Sequence, residues 1–160
     1  MIVIILNGYP ESGKDEFIKV AEKWHICYNY STIDECKDIC EQLGWDGVKD
    51  DKSRKMLSDL KQWYVEHLDG VFKDFTSEVQ RVDKLMIFDI FFVVTREGKE
   101  INRFKEWLKE NHYTNHYLFM SRGAWRDFGN DSDNKVLEVV KPDIYLNNNG
   151  DLAQLESSGT

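Results

Sequence analysis

Residues 2–6 form an unbroken apolar run rich in β-branched side chains, the pattern of a strand covered on both faces, as central strands of parallel sheets are. Residues 7–13 are turn-like. The segment 14–24 then places Phe17, Val20, Ala21 and Trp24 at the i, i+3, i+4, i+7 spacing of one helical face. A second strand is predicted at 26–30, followed by a helix to about residue 43, with Ser31 or Thr32 as its cap and Glu35 placed for a capping box. Beyond the polar loop 44–51 (GWDGVKDD), Met56, Leu57, Leu60, Tyr64 and Leu68 repeat at helical spacing. The repeat continues through Val71, Phe72, Phe75, Val79 and Val82, which predicts one long helix bent at Gly70. Residues 85–95 predict another strand, and Ile101, Phe104 and Leu108 mark the helix after it. A fourth strand is predicted at 117–121. Residues 122–133 (RGAWRDFGNDSD) have no apolar period and read as a mobile loop leading into a short helix at 134–140 that Pro142 stops. A short last strand is predicted at 144–146, and Leu152 and Leu155 fit a final helical turn before a polar tail, 157–160, that frays. Strands alternating with helices predict an α/β domain, a parallel sheet with helices on both faces.

Composition narrows what such a domain can do. The 160 residues suit one domain, here 1–156, with no repeat or linker inside it. Twenty-one Lys and Arg against 29 Asp and Glu give a net charge of −8, which argues against nucleic acid as a partner, because backbone binding needs a surplus of cations. A local basic pocket is still compatible with that total. No run approaches the roughly 20 apolar residues of a membrane span, and no leader pattern opens the chain, so it is expected to be unprocessed and to have no membrane partner. Cys27, Cys36 and Cys40 lack C-x-x-C spacing, which fits reduced thiols in a cytoplasm, with Cys36 and Cys40 as small buried side chains rather than a metal pair. His25, His67, His112 and His116 show no ligand spacing, and no G-x-S-x-G elbow offers a nucleophile.

The sharpest chemical signal is Gly8-Tyr9-Pro10-Glu11-Ser12-Gly13-Lys14-Asp15, a G-x-x-x-x-G-K match lying after a strand and opening a helix, as the phosphate-binding loop requires. Glycines let the backbone wrap a phosphate, successive N–H groups at the helix start point at the anion, and Lys14 supplies a mobile cation expected to bridge β- and γ-phosphates. The implied ligand is ATP. Position 15 holds Asp where the motif has a Ser or Thr hydroxyl for Mg²⁺. Asp15 either holds the metal, directly or through water, or complements the helix N-terminus.

The S-G-K-D wording at 12–15 resembles the phosphate loop of phage-type deoxynucleoside monophosphate kinases, relatives of the adenylate kinases, and of the animal phosphomevalonate kinases. Residues 44–61 (GWDGVKDDKSRKMLSDLK) are similar to the acceptor-side segment of the phage enzymes. Thr95-Arg96-Glu97-Gly98-Lys99-Glu100-Ile101 resembles their R-E-x-x-E-I motif, and 143–155 (DIYLNNNGDLAQL) their D-x-x-I-x-N-x-G-x-L-x-x-L ending. The resemblance spans nearly the whole chain, departing at Asp15-Glu16 and at Gly98, where Pro is common.

The resemblance implies a three-layer P-loop kinase fold with a five-stranded parallel sheet ordered 2-3-1-4-5, an acceptor-binding helical segment at about 44–82 and a lid at about 122–133. It implies ATP-dependent phosphoryl transfer with Mg²⁺ to a small-molecule nucleotide acceptor, by a monomer or homodimer in the cytoplasm, the host's if the chain is phage-encoded. Such transfer needs cations on both sides of the reacting group. Arg96, just past a core strand at the sheet edge where open α/β folds bind ligands, is read as catalytic and acceptor-binding. Arg122 and Arg126, flanking Gly123 and Trp125, are read as catalytic cations of the lid, one of them reaching the donor. Arg54 is placed near the acceptor's phosphate or is a solvated first-turn residue. Asp89 resembles the Asp that ends a hydrophobic run and holds Mg²⁺ through water; Glu97 and Glu100 are nearer the strand's end and pair Arg96 or steer the metal. Trp45 either stacks on an acceptor base or caps the core. Asn134-Lys135-Val136-Leu137 lacks the Asp of the guanine-reading N-K-x-D pattern, which disfavours a GTPase. Alternatives are a phosphomevalonate or other small-molecule kinase and a non-catalytic nucleotide sensor.

Overall fold

The structure is a computed structural model that describes residues 1–8, 12–121 and 141–147. In chain order the elements are β1 (Ile2–Gly8), α1 (Lys14–Glu22), β2 (Cys27–Ser31), α2 (Asp34–Gln42), α3 (Asp51–Leu68), α4 (Gly70–Leu85), β3 (Ile90–Val94), α5 (Gly98–Glu110), β4 (Asn115–Ser121) and β5 (Ile144–Asn147). The strands form one parallel sheet in the order β2-β3-β1-β4-β5, with β1 central as its apolar run predicts.

The period of two along each strand divides the core. Val3 and Ile5 of β1, Phe91 and Val93 of β3, and Tyr117 and Phe119 of β4 face Val71, Phe75, Val79 and Val82 of α4 and Ile101, Phe104 and Leu108 of α5. Leu6, Phe92, Leu118 and Met120 point to the other face, against Phe17, Ile18 and Val20 of α1. Helices on both faces explain why these strands are apolar without alternation. A satellite cluster of Cys36, Cys40 and Leu57 joins α2 to α3, and Trp45 packs on it while its indole N–H donates to Ser53 Oγ at 3.0 Å. Trp45 therefore caps this cluster.

Several local expectations need correction. The long helix is two helices, and the break falls at Asp69, which takes a left-handed φ of 49°. The Arg103 guanidinium compensates that strain with a bidentate grip on the Asp69 carboxylate, at 2.7 and 3.0 Å. Gly70 is required for another reason, since a Cβ there would lie 2.1 Å from the Tyr64 ring. The apolar run 85–89 is not strand: Leu85 closes α4, Met86 turns the chain at φ 55° with its side chain 90% exposed, and β3 begins at Ile90. Trp24 lies past the end of α1 and is exposed. Neither Ser31 nor Thr32 caps α2; its N-cap is Ile33, and the Asp34 carboxylate reaches back to accept from Ser31 N–H at 2.9 Å. The predicted loop and helix at 122–140 and the final turn beyond 147 lie outside the described residues.

Candidate active site

The buried polar residues concentrate at one edge of the sheet. Asn7 is the penultimate residue of β1, Thr32 and Thr95 directly follow β2 and β3, Ser121 ends β4, and Ser12 precedes α1; among the described buried polar residues only Ser53 lies elsewhere. Interior positions thus turn from apolar to polar where four parallel strands reach their carboxyl ends. That is where ligands of open α/β sheets bind. The backbone carries the order past the strands, with Thr95 N–H donating to Leu6 O at 3.3 Å and Thr32 N–H to Val94 O at 3.1 Å.

The phosphate-loop residues meet at this edge. A Cβ at Gly8 would sit 2.2 Å from Met120 O, so the first glycine lets β1 and β4 approach where the loop departs. Its N–H donates to Asn7 Oδ1 at 2.6 Å. Gly13 adopts φ 94° as the N-cap of α1 and offers no side chain to cap the helix's first N–H groups, which leaves them suited to an anion. Lys14 Nζ donates to Gly8 O at 3.2 Å. Asp15 is exposed in the first turn of α1 beside Glu16. Tyr9, Pro10 and Glu11 lie outside the described residues, as do Arg122 and Arg126.

The remaining candidates separate. Arg96 lies one residue past Thr95, exposed, at the same edge as Gly8. Arg54 sits in the first turn of α3, 72% exposed, with Asp51 Oδ1 at 3.5 Å. Asp89 is at the wrong end: it precedes β3, accepts from Ile26 N–H at 2.9 Å and lies 4.0 Å from His25 Nδ1. The whole of β3, roughly 16 Å at the usual rise, separates it from Thr95, so its assignment as a metal ligand beside the phosphate loop does not hold. The error follows from reading 85–89 as strand.

One functional-edge residue escaped the sequence reading. Lys61 Nζ lies 3.1 Å from Glu100 Oε1 and donates to Thr32 Oγ1 at 3.2 Å, with the two ionic side chains only 15% and 12% exposed. Glu100, expected to pair Arg96 or steer a metal, is held by Lys61 and by Thr95 Oγ1 at 2.5 Å. Leu57, Lys61 and Tyr64 follow the inward stripe of α3, so a lysine at an inward position was the available signal. Electrostatics here follow burial: the Cys36 thiol is pushed up to about 11 by burial against the pull of Lys61. Tyr30 is pushed well above its ordinary value, first by burial and then by Asp74, Asp34, Glu78 and Glu100. Among the described residues no three His, Cys, Asp or Glu converge. Among the same residues no helix is long and apolar enough to cross a membrane.

Comparison with solved structures finds an unliganded sugar kinase from Janibacter sp. at TM-score 0.52 and 15% identity, covering 99% of this chain and 91% of that one. The chain has the P-loop kinase fold. A cysteine-to-alanine variant of the Mycobacterium tuberculosis APS kinase matches at TM-score 0.48 and 13% identity, over 98% of this chain and 92% of that one. The Deinococcus radiodurans tunicamycin resistance protein matches at 0.44 and 14%, over 99% and 77%. No family model and no curated protein matches the sequence. The sheet order puts Gly8 at the end of the central strand, with β3 and β4 on either side of β1.

Proposed function

We propose that the protein transfers the γ-phosphoryl group of Mg-ATP to a nucleoside or deoxynucleoside monophosphate, giving the diphosphate. The observation that carries this reading is the Lys14 ammonium donating to Gly8 O at the end of the central strand, with Gly13 as the N-cap of α1. Backbone N–H groups of Gly13 and the first turn of α1 receive the donor phosphates, and Lys14 leaves Gly8 O for the oxygens on which charge develops. Mg²⁺ would supply further neutralisation when bound, and Asp15 occupies the position at which the motif has its metal-holding hydroxyl. Arg96, at the same strand edge, faces the charge between donor and acceptor, and Arg54 receives the acceptor's phosphate. One of Arg122 and Arg126 serves the donor side on sequence grounds. In-line transfer needs no protein nucleophile. A phosphorylated non-nucleotide acceptor such as phosphomevalonate is the second reading, favoured by the same S-G-K-D wording at 12–15.

ADP release from Mg-ATP, measured with a panel of NMPs, dNMPs and phosphomevalonate beside a no-acceptor control, tests both. Release dependent on a nucleotide supports the first reading and release dependent on phosphomevalonate the second. ATP binding with no acceptor-dependent release makes the protein a nucleotide sensor.

A further inference from the structure

We propose that the Lys61–Glu100 ion pair is a latch holding the acceptor side of the site at a fixed distance from the phosphate loop. On this account, which rests on the kinase reading above, Lys61 and Glu100 are positioning residues for the acceptor and not for the nucleotide. The pair is drier than surface pairs of the same chain such as Lys55–Asp59, whose side chains are 77% and 62% exposed. Two charges withdrawn from water seldom stabilise a fold more than apolar side chains of similar volume in the same place. Leu57 and Tyr64 flank Lys61 on its stripe of α3, so an apolar residue at 61 would continue the packing already there. The pair is therefore better explained by what it joins than by the stability it adds.

It joins α3 to the end of β2 and to α5, with Lys61 reaching Thr32 on one side and Glu100 on the other. Glu100 is bonded to Thr95 Oγ1, which also accepts from Glu97 N–H at 3.4 Å, and these contacts bracket the short connection that carries Arg96. Thr95 in turn donates its N–H to Leu6 O, two residues before Gly8. Arg54 lies seven residues before Lys61 on the same face of α3, about 10 Å along the axis at the helical rise. Arg96 is thus tied to the phosphate-loop strand through Thr95, and α3, which carries Arg54, is tied to the same point through the Lys61 ammonium and Glu100. A small displacement of such a support moves the acceptor relative to the donor while leaving the phosphate loop as it was.

The test compares Lys61→Met, Glu100→Gln, Lys61→Arg and the double variant Lys61→Met/Glu100→Gln in the full chain. The readouts are acceptor KM and kcat, the Kd of Mg-ATP, and far-UV circular dichroism. The latch predicts an acceptor KM raised about tenfold to a hundredfold in both neutralising single variants and in the double variant. Mg-ATP Kd stays within about twofold, and Lys61→Arg recovers most of the loss, because it keeps the cation. The double variant strands no buried charge, so it gives a folded protein for the measurement if a single variant does not. An unchanged acceptor KM in a folded variant overturns the latch and leaves the kinase reading standing, as does an equal loss of acceptor and nucleotide affinity. A wild-type chain that binds ATP but turns over no acceptor overturns the kinase reading, and the latch with it.

Discussion

Gly8 and Gly13 belong to one motif but answer to different constraints. Gly8 is fixed by packing, since a Cβ there would meet Met120 O at 2.2 Å, whereas Gly13 is fixed by its φ of 94°. Gly8→Ala is therefore expected to destabilise by about 2–3 kcal/mol, within the range for overpacking a close contact. Gly13→Ala should cost about 1 kcal/mol, set by the left-handed backbone alone. Urea unfolding of the two variants separates these outcomes, and equal losses would contradict the division. Burial pushes the Cys27 thiol up to about 11, helped by Glu22 and Asp89, and the Cys36 thiol to a similar value. At pH 8 both are thiols rather than nucleophilic thiolates, so iodoacetamide should modify neither in the time that fully modifies free cysteine. Rapid labelling of either in the native protein would show the burial to be overstated. At this scale Lys14 was legible because the G-x-x-x-x-G-K spacing encodes its geometry. Lys61 was not, because a lysine inside a helical period reads as solvated until the partners from β2 and α5 are seen.

Among the elements, the corner between α3 and α4 shows how local pattern and tertiary context divide the work. The apolar repeat runs through both helices without interruption, and nothing in it marks Asp69 as the residue that takes a left-handed turn. Arg103, 34 residues away, makes that turn affordable by holding the Asp69 carboxylate below the usual carboxylate range. Gly70→Ala would drive a methyl into the Tyr64 ring and is expected to destabilise by about 1–3 kcal/mol, read as a lower urea midpoint. Asp143 anchors the start of β5 by accepting from Tyr117 N–H and Lys105 Nζ, at 2.8 and 2.7 Å. Burial pushes its carboxyl up, but Lys105 and the Tyr117 N–H together hold it below its ordinary value. A depressed folded pKa contributes stability above the unfolded value, near 4, that is lost as pH falls through the folded one. The gap in urea midpoint between wild type and Asp143→Asn should therefore be full at pH 6 and shrink toward pH 3. A gap that does not vary with pH would assign the effect to packing instead.

On the scale of the whole molecule, the parallel sheet and the two-sided core were legible because strands buried on both faces are apolar throughout and βα units connect in only a few ways, whereas the strand order came from the family resemblance. The sequence could not reveal which end of a strand a residue occupies when apolar residues run past the strand's boundary, and that is how Asp89 came to be assigned to the wrong edge. Function follows the polarity of the sheet: Asn7, Thr32, Thr95 and Ser121 line the carboxyl edge, where Lys14 and Arg96 also lie. The central claim is that this edge, through Lys14, holds the phosphates of ATP. Calorimetric titration of Mg-ATP into the wild type and into Lys14→Ala tests it most directly, with circular dichroism confirming the fold of each. The account predicts one site in the wild type, an affinity lowered about a hundredfold in the variant, as loss of one strong phosphate cation implies, and an unchanged spectrum. Equal affinity in a folded Lys14→Ala protein, or no binding to the wild type, would contradict it.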